Sequence, residues 1–479
     1  MIKVLFAASE AVPFIKSGGL GDVIYSLVKE LRGIGIDARI MIPNYSDISF
    51  EYSNKMDKIE AFNVNVGWRR QYCGIKYLEH GGIPCYFVDN EYYFNRGGLY
   101  GYFDEAERFS FFSRGVIESL EKIDFIPDII HLHDWHTGMI PPILEKDYPQ
   151  YNHIKTVFTI HNLYYQGVFP REILGDILGL EEKLYSNGDV EFYGGVSFMK
   201  AGIKFSDIIT TVSRTYADEI KTPEYGEKLD GVLRSRSSVL YGIENGIDYN
   251  LYNPKTDDLI FEKYNKESIH KKIKNKTELQ KQLGLPIEEN IPLIGMVTRL
   301  VKQKGIDLIL TKWNDGYEIE GQLVVLGMGE QYYEEMLYSL RDRHPDKISV
   351  SIQFDDELAH KIYAASDLFL MPSLFEPCGL GQMIALRYGT LPLVRRTGGL
   401  NDTITPVNEY TGEGNGFVFN HYNPKEMTDM IDYALNIYKN EELWRRIMLN
   451  ALNSDNSWKK SSEEYEKLYK KLMGRAECT

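Results

Sequence analysis

Five stretches of this chain set cations, carboxylates or histidines beside glycines or at strand ends, where they can act on a bound molecule. KSGGLGDV (16–23) places Lys16 ahead of Gly18 and Gly19, after a first apolar run and at the opening of a helix. Glycines there let the backbone approach a ligand, and a helix N-terminus attracts phosphate. The phrase is neither GxGxxG nor a Walker loop, and it reads equally as a plain strand-to-helix turn. HLHDWHTG (131–138) sits at a strand end, with Asp134 as an acceptor or base aimed at substrate. Its three histidines suggest a metal. However, alternation points His131 and His133 the same way and no further ligand stands nearby, so no metal is expected. HNLYYQG (161–167) puts His161 at a second strand end.

TRLVKQKG (298–305) offers Arg299 and Lys304 as a diphosphate clamp, or as a solvated cationic turn. FEPCGLGQ (375–382) places Glu376 in a crevice and the amides of Cys378, Gly379 and Leu380 at a helix start. Cys378 has the setting of an activated thiol. No paired histidine lies near it in sequence, so the stretch reads as backbone donors. RTGGLNDTI (396–404) echoes KSGGLGDVI (16–24) and follows the next strand of the second half.

These stretches need scaffolds. Short apolar runs that read as strands covered on both faces alternate with helix-length segments through both halves of the chain. Each half is therefore expected to be a doubly wound α/β unit, with ligands outside the carboxyl ends of its strands. In the second half, helices are expected at 304–311, 331–343, 357–365, 379–388 and 424–439. Residues 44–105, rich in Tyr, Gly and Asn, are expected to be an irregular, loop-rich insertion. YGIENGIDYNLYNP (241–254) marks a junction, giving domains at 1–242 and 243–456. In the segment 457–472, Tyr465, Leu468, Tyr469 and Leu472 share one helical face that must dock.

The length of 479 residues suits two domains, and 43% hydrophobic with 26% charged residues is a soluble globular profile. A net charge of −15 without a compensating basic run argues against nucleic acid or acidic lipid as partners. No leader or membrane-spanning run is read, and Cys73, Cys85, Cys378 and Cys478 show no metal or redox spacing. A cytoplasmic location is expected. A dehydrogenase is poorly supported, for want of GxGxxG with an acidic residue downstream.

KSGGLGDV, HDWHTG, HNLYYQG, FYGGVSFMKAG, NGID, TRLVKQKG, FEPCGLGQ and RRTGGL stand in the order found in bacterial glycogen synthases and plant starch synthases, which the chain resembles from about residue 1 to 475. The resemblance implies a GT-B fold: two Rossmann-like domains facing a cleft, with a C-terminal helix, 457–479, crossing back to the first. It implies glucose transfer from ADP-glucose to the non-reducing end of an α-1,4-glucan, with retention and without metal or other cofactor. Lys16, Arg299 and Lys304 then resemble the cations on the donor phosphates, and Asp22 a residue tied to donor binding. His161, Asn162 and Asn245 resemble contacts to the transferred glucose, and Asp134 an essential carboxylate. Glu376 resembles the glutamate on the glucose hydroxyls, beside the amides of Cys378 and Gly379. Phe354 stands where some bacterial members carry a Tyr near adenine, and Gly381 replaces a residue with a side chain in FEPCGLTQ-type relatives. Both departures lie near the base and phosphates, where this chain leaves the pattern that accompanies the preference for ADP over UDP. Oligomeric state is left open.

Overall fold

A computed structural model describes residues 1–474, so Cys478 lies outside the described residues. The chain divides into two compact units, residues 1–245 with the helix from Trp458, and residues 246–457. The division falls after Asn245, where the sequence reading placed it after residue 242.

In the first unit the strands, in chain order, are β1 (Lys3–Ala7), β2 (Asp37–Pro43), β3 (Asp57–Val66), β4 (Arg69–His80), β5 (Ile83–Asp89) and β6 (Ile129–His133). They continue with β7 (Lys155–Ile160), β8 (Val168–Pro170), β9 (Glu191–Phe192), β10 (Gly195–Ser197), β11 (Ile208–Thr211) and β12 (Leu240–Gly242). Nine of them form one sheet in the order β12-β11-β7-β6-β1-β2-β5-β4-β3, and β8-β10-β9 form a small separate one. The sheet is parallel except around β4, which runs antiparallel to both β3 and β5. Strand order reverses between β1 and β6, the place where doubly wound sheets open a ligand crevice.

Residues 44–105 depart from expectation. They are not chiefly loop, because β3, β4 and β5 extend the main sheet. The signal was the alternation in FNVNV, whose Val64 and Val66 are buried while Asn63 and Asn65 face out. A count of Tyr, Gly and Asn hides that period of two.

The second unit has β13 (Leu293–Val297), β14 (Gln322–Leu326), β15 (Ile348–Ser351), β16 (Leu368–Met371), β17 (Leu391–Arg395) and β18 (Phe417–Phe419). They pair in parallel in the order β15-β14-β13-β16-β17-β18, the 3-2-1-4-5-6 order of a Rossmann sheet. The switch point lies between β13 and β16. Two expected helices start later than read: Ile306–Asn314 rather than 304, and Gly381–Arg387 rather than 379. Gly305 and Gly379 both have φ of +76°, a left-handed conformation that cannot continue a right-handed helix.

The helix Trp458–Leu472 belongs to the first unit and packs on the helix Gly19–Gly33. Its buried face carries Trp458, Tyr465, Leu468 and Tyr469, and the Tyr469 hydroxyl meets His131 Nδ1 at 2.7 Å. Among the described residues no helix is long and apolar enough to cross a membrane.

Candidate active site

The first unit collects its polar groups at the β1/β6 switch point. Asp134 follows β6 with φ +57° and ψ 179°, a region that side chains rarely adopt and that is typical of strained functional positions. Its Oδ1 accepts the His161 amide at 2.8 Å and the Asn162 amide at 3.4 Å, so one carboxylate oxygen ties the loop after β6 to the loop after β7. Burial pushes this carboxyl up to about 7, against the pull of those two amides. His161 Nε2 meets His133 Nδ1 at 2.9 Å. Burial lowers His161 to about 3 and holds His133 well below its ordinary value, so both rings are neutral near pH 7. His133 Nε2 has no partner among the described residues, which favours the tautomer with a bare lone pair there and the proton on Nδ1. His161 then accepts at Nε2 and carries its own proton on Nδ1.

His131 and His133 do point the same way along β6, with ring centroids 4.3 Å apart. His131 Nε2 bonds Thr159 Oγ1 at 2.6 Å, and His136 stacks on Trp135 at 4.0 Å. These rings serve packing and hydrogen bonding. Among the described residues no group of three or more His, Cys, Asp or Glu is arranged to hold a metal ion.

The loop after β1 is held by a residue that no motif flagged. Glu10 is buried, and its carboxylate takes the Ser17 amide and, at 3.3 Å, the Ser17 hydroxyl. A carboxylate just past the first apolar run was the available signal, but a single Glu there has no spacing to mark it. Lys16 pairs with Asp22 at 3.3 Å, both partly exposed. Such a pair is worth about 0–1 kcal/mol, so the lysine can turn to an anion at little cost. A Cβ on Gly18 would meet nothing within 4 Å, so its glycine is not required by packing. Gly19 begins the helix Gly19–Gly33. Tyr100, brought in by the insertion, meets Ser9 Oγ at 2.8 Å, and its ring lies tilted 4.8 Å from that of His136. Asn245 is buried, and its Oδ1 has no partner among the described residues.

In the second unit the loops after β13 and β16 are laced across the switch point. Leu374 N donates to the Gln303 carbonyl at 2.8 Å, and a Cβ on Gly305 would lie 2.2 Å from the Pro372 carbonyl oxygen. This close approach brings Lys304 Nζ to 2.6 Å from Glu376 Oε2, which also accepts Ser373 Oγ at 3.0 Å. Arg299 is exposed nearby in sequence, at the end of β13. Gln382 Nε2 donates to the carbonyls of Cys378 and Gly379 at 3.0 and 3.1 Å. A trans peptide sets its N–H opposite its C=O, so the amides of Gly379 and Leu380 point away from Gln382. Cys378 is buried, and a Cβ on Gly381 would come within 3.0 Å of the Phe369 ring. Phe354 is not drawn into this group. It is 79% exposed on the loop after β15, the edge strand two places from β13.

The second Gly-Gly phrase differs physically from the first. A Cβ on Gly398 would lie 2.0 Å from the Glu376 carbonyl oxygen, and one on Gly399 2.2 Å from that of Cys378. Those glycines exist so that one loop can back another.

Comparison with known proteins is decisive for the family. Residues 3–235 match the starch synthase catalytic domain model, and residues 275–450 match glycosyl transferases group 1. The glycogen synthase of Desulforamulus reducens is 54% identical over 475 residues, 98% of this chain and 99% of that protein. The one from Clostridium acetobutylicum is 55% identical, over 98% of this chain and all of its own. The chain belongs to the glycogen and starch synthase family of glycosyltransferases. The catalytic domain of starch synthase IV from Arabidopsis thaliana, bound to ADP and acarbose, is similar over 99% of both chains, with a TM-score of 0.90 and 36% identity. Sucrose-phosphate synthase from Thermosynechococcus elongatus shares the fold alone, at a TM-score of 0.63 and 15% identity. Family membership carries glycosyl transfer as the activity and GT-B as the fold class.

Proposed function

We propose that this enzyme elongates an α-1,4-glucan in glycogen synthesis, moving glucose from ADP-glucose to the non-reducing end with retention and without a metal. The observation that carries the reading is the Lys304–Glu376 pair at the second unit's switch point, beside amides that point away from Gln382. A sugar nucleotide needs both chemistries there: a cation and N–H donors for the diphosphate, and a carboxylate for the sugar hydroxyls. The ADP in the similar starch synthase IV structure supports the nucleotide, and its acarbose supports a glucan acceptor.

In the reaction the bond from the anomeric carbon to the β-phosphate oxygen breaks. The acceptor O4 attacks that carbon on the same face through a short-lived ion pair, and its proton passes to the departing phosphate oxygen. Arg299, Lys304, Lys16 and the amides of Cys378, Gly379, Leu380 and Gly381 stabilise the charge that grows on the diphosphate. Glu376 accepts from glucose hydroxyls. Neutral His161, with Asn162 and Asn245, hydrogen-bonds the transferred glucose, and Asp134 holds their loop and supplies a carboxylate near the reacting oxygens. Gly18, Gly19 and Asp22 form the loop on the donor, and Phe354 meets the base. On this reading the first unit serves the acceptor and the second the nucleotide. An idle glucan-binding protein would not need the phosphate cations.

The test is incubation with ADP-glucose or UDP-glucose and glycogen in EDTA, following nucleotide release, chain growth and the configuration of the new linkage. Chain growth with α-linked product and ADP-glucose preferred is expected. Nucleotide release without growth would reject the glucan acceptor, a UDP-glucose preference would reject the donor, and a trapped glycosyl adduct would reject the ion pair.

A further inference from the structure

FYGGVSFMKAG (192–202) backs the loop that begins with His161, its Phe198 and Met199 amides donating to the Gly167 and Gln166 carbonyls, yet its second residue breaks a local rule. Phe192 pairs with Gly195 across the β9–β10 hairpin, leaving Tyr193 and Gly194 as a two-residue loop. Both have positive φ, +48° and +87°. A turn of this kind favours Asn-Gly or Asp-Gly, because a larger side chain is strained in the left-handed region. Tyr193 gains no core packing in return, since it is 73% exposed.

The ring is nevertheless held in place. The Gly194 amide donates to Glu191 Oε1 at 3.0 Å, and the Phe192 ring meets the Tyr193 ring edge-on at 5.0 Å. Lys228 Nζ sits 4.7 Å from the Tyr193 ring centroid. Lys228 and Glu227 are themselves left-handed, with φ of +64° and +46°. The Glu227 carbonyl accepts Gln166 Nε2 at 2.8 Å, which ties this segment to the loop that begins with His161. Two strained non-glycine segments thus converge to display an aromatic ring, a phenol hydroxyl and an ammonium. Residues held against local preference without a packing gain mark function.

We propose that Tyr193, with Lys228, is a contact for the α-glucan acceptor chain, a glucosyl unit laying its C–H face on the ring while its hydroxyls meet the ammonium and phenol. This rests on the glucan acceptor proposed above and adds a binding residue outside the transfer site. The ligand is a neutral, polyhydroxylated ring, which suits an aromatic face set beside hydrogen-bonding groups.

The experiment compares wild type, Tyr193→Asn and Tyr193→Phe in three measurements: melting temperature, retardation in native gels containing glycogen, and the KM values for glycogen and donor. Tyr193→Asn installs the residue the turn prefers, so it is expected to melt no lower than wild type. Its KM for glycogen and its dissociation constant in the gel rise about three- to tenfold, as for loss of one aromatic contact. The donor KM holds, and Tyr193→Phe stays near wild type. Unchanged retardation and glycogen KM in Tyr193→Asn would overturn the proposal while leaving the glucosyltransferase reading intact. If wild type transfers no glucose, that reading fails, and the gel alone decides whether Tyr193 binds glucan. A wild type that glycogen does not retard at all overturns the contact as well.

Discussion

Replacing Lys304 by Met separates the two roles its ammonium holds. Lys304 Nζ lies 2.6 Å from Glu376 Oε2, with the side chains only 16% and 7% exposed. Removing one member of a buried pair strands the other, at a cost of about 3–5 kcal/mol. The lysine keeps some access to water, which places this case near the lower figure. For a unit the size of residues 246–457, about 3 kcal/mol corresponds to a melting shift of roughly 6–12 °C. Loss of a donor to the departing diphosphate costs a further factor of about 10²–10³ in turnover. Adding Glu376→Gln to Lys304→Met removes the stranded charge while Ser373 Oγ still has an oxygen to donate to. The double variant should therefore recover most of the melting temperature and none of the turnover. The assays are scanning fluorimetry and ADP release at saturating ADP-glucose and glycogen. Turnover within tenfold of wild type in Lys304→Met would refute the clamp. A double variant that melts no higher than the single one would refute the ion-pair account of the stability loss.

The two Gly-Gly phrases should respond oppositely: Gly18→Ala is expected to keep the melting temperature and raise the donor KM, since a Cβ there meets nothing of the protein. Gly398→Ala, at φ +43° and 2.0 Å from a carbonyl oxygen, should lower the melting temperature by several degrees, and equal melting of the two variants would contradict the packing argument. Stability should fall as pH drops from about 6.5 toward 3, because His136 and His161 stay neutral in the folded chain down to about 3 while the unfolded chain takes up protons. Each such histidine contributes a slope of about 1.4 kcal/mol per pH unit, opposed between pH 7 and 3.8 by Asp134, whose carboxyl holds its proton longer when folded. His136→Phe should flatten the urea-midpoint profile over pH 6 to 4, and an unchanged slope would count against burial as the cause. Asp134→Asn should fold, since Asn is isosteric with the Asp that already holds this backbone and its oxygen can still accept both amides. If the ionised carboxylate acts in the reaction, kcat/KM of wild type rises with pH through about 7, and the variant loses both that limb and about 10²-fold in rate.

What was legible in the sequence was local. Continuous apolar runs marked the parallel strands, and the helices Gln331–Arg343 and Pro424–Tyr438 were readable from periodicity. Motif order carried the family, and residue types carried the chemistry: cations for phosphate, carboxylates and histidines for sugar. The amphipathic face of the last helix was also plain, with Tyr465, Leu468 and Tyr469 buried as its pattern demands. Even the misread insertion held its signal in FNVNV, obscured because composition averages over a period of two.

Tertiary structure alone decided which distant groups meet. Asp134 reaches the amides of His161 and Asn162 because β6 pairs with β7. Lys304 reaches Glu376 because β13 pairs with β16, skipping β14 and β15 in chain order. Strand order is set by how helices cross the sheet and by the core they bury together, and no local pattern encodes it. The same holds for the repeated Gly-Gly phrase. Near-identical residues serve an open loop after β1 and a backbone-to-backbone contact after β17, because what each glycine faces belongs to another part of the chain.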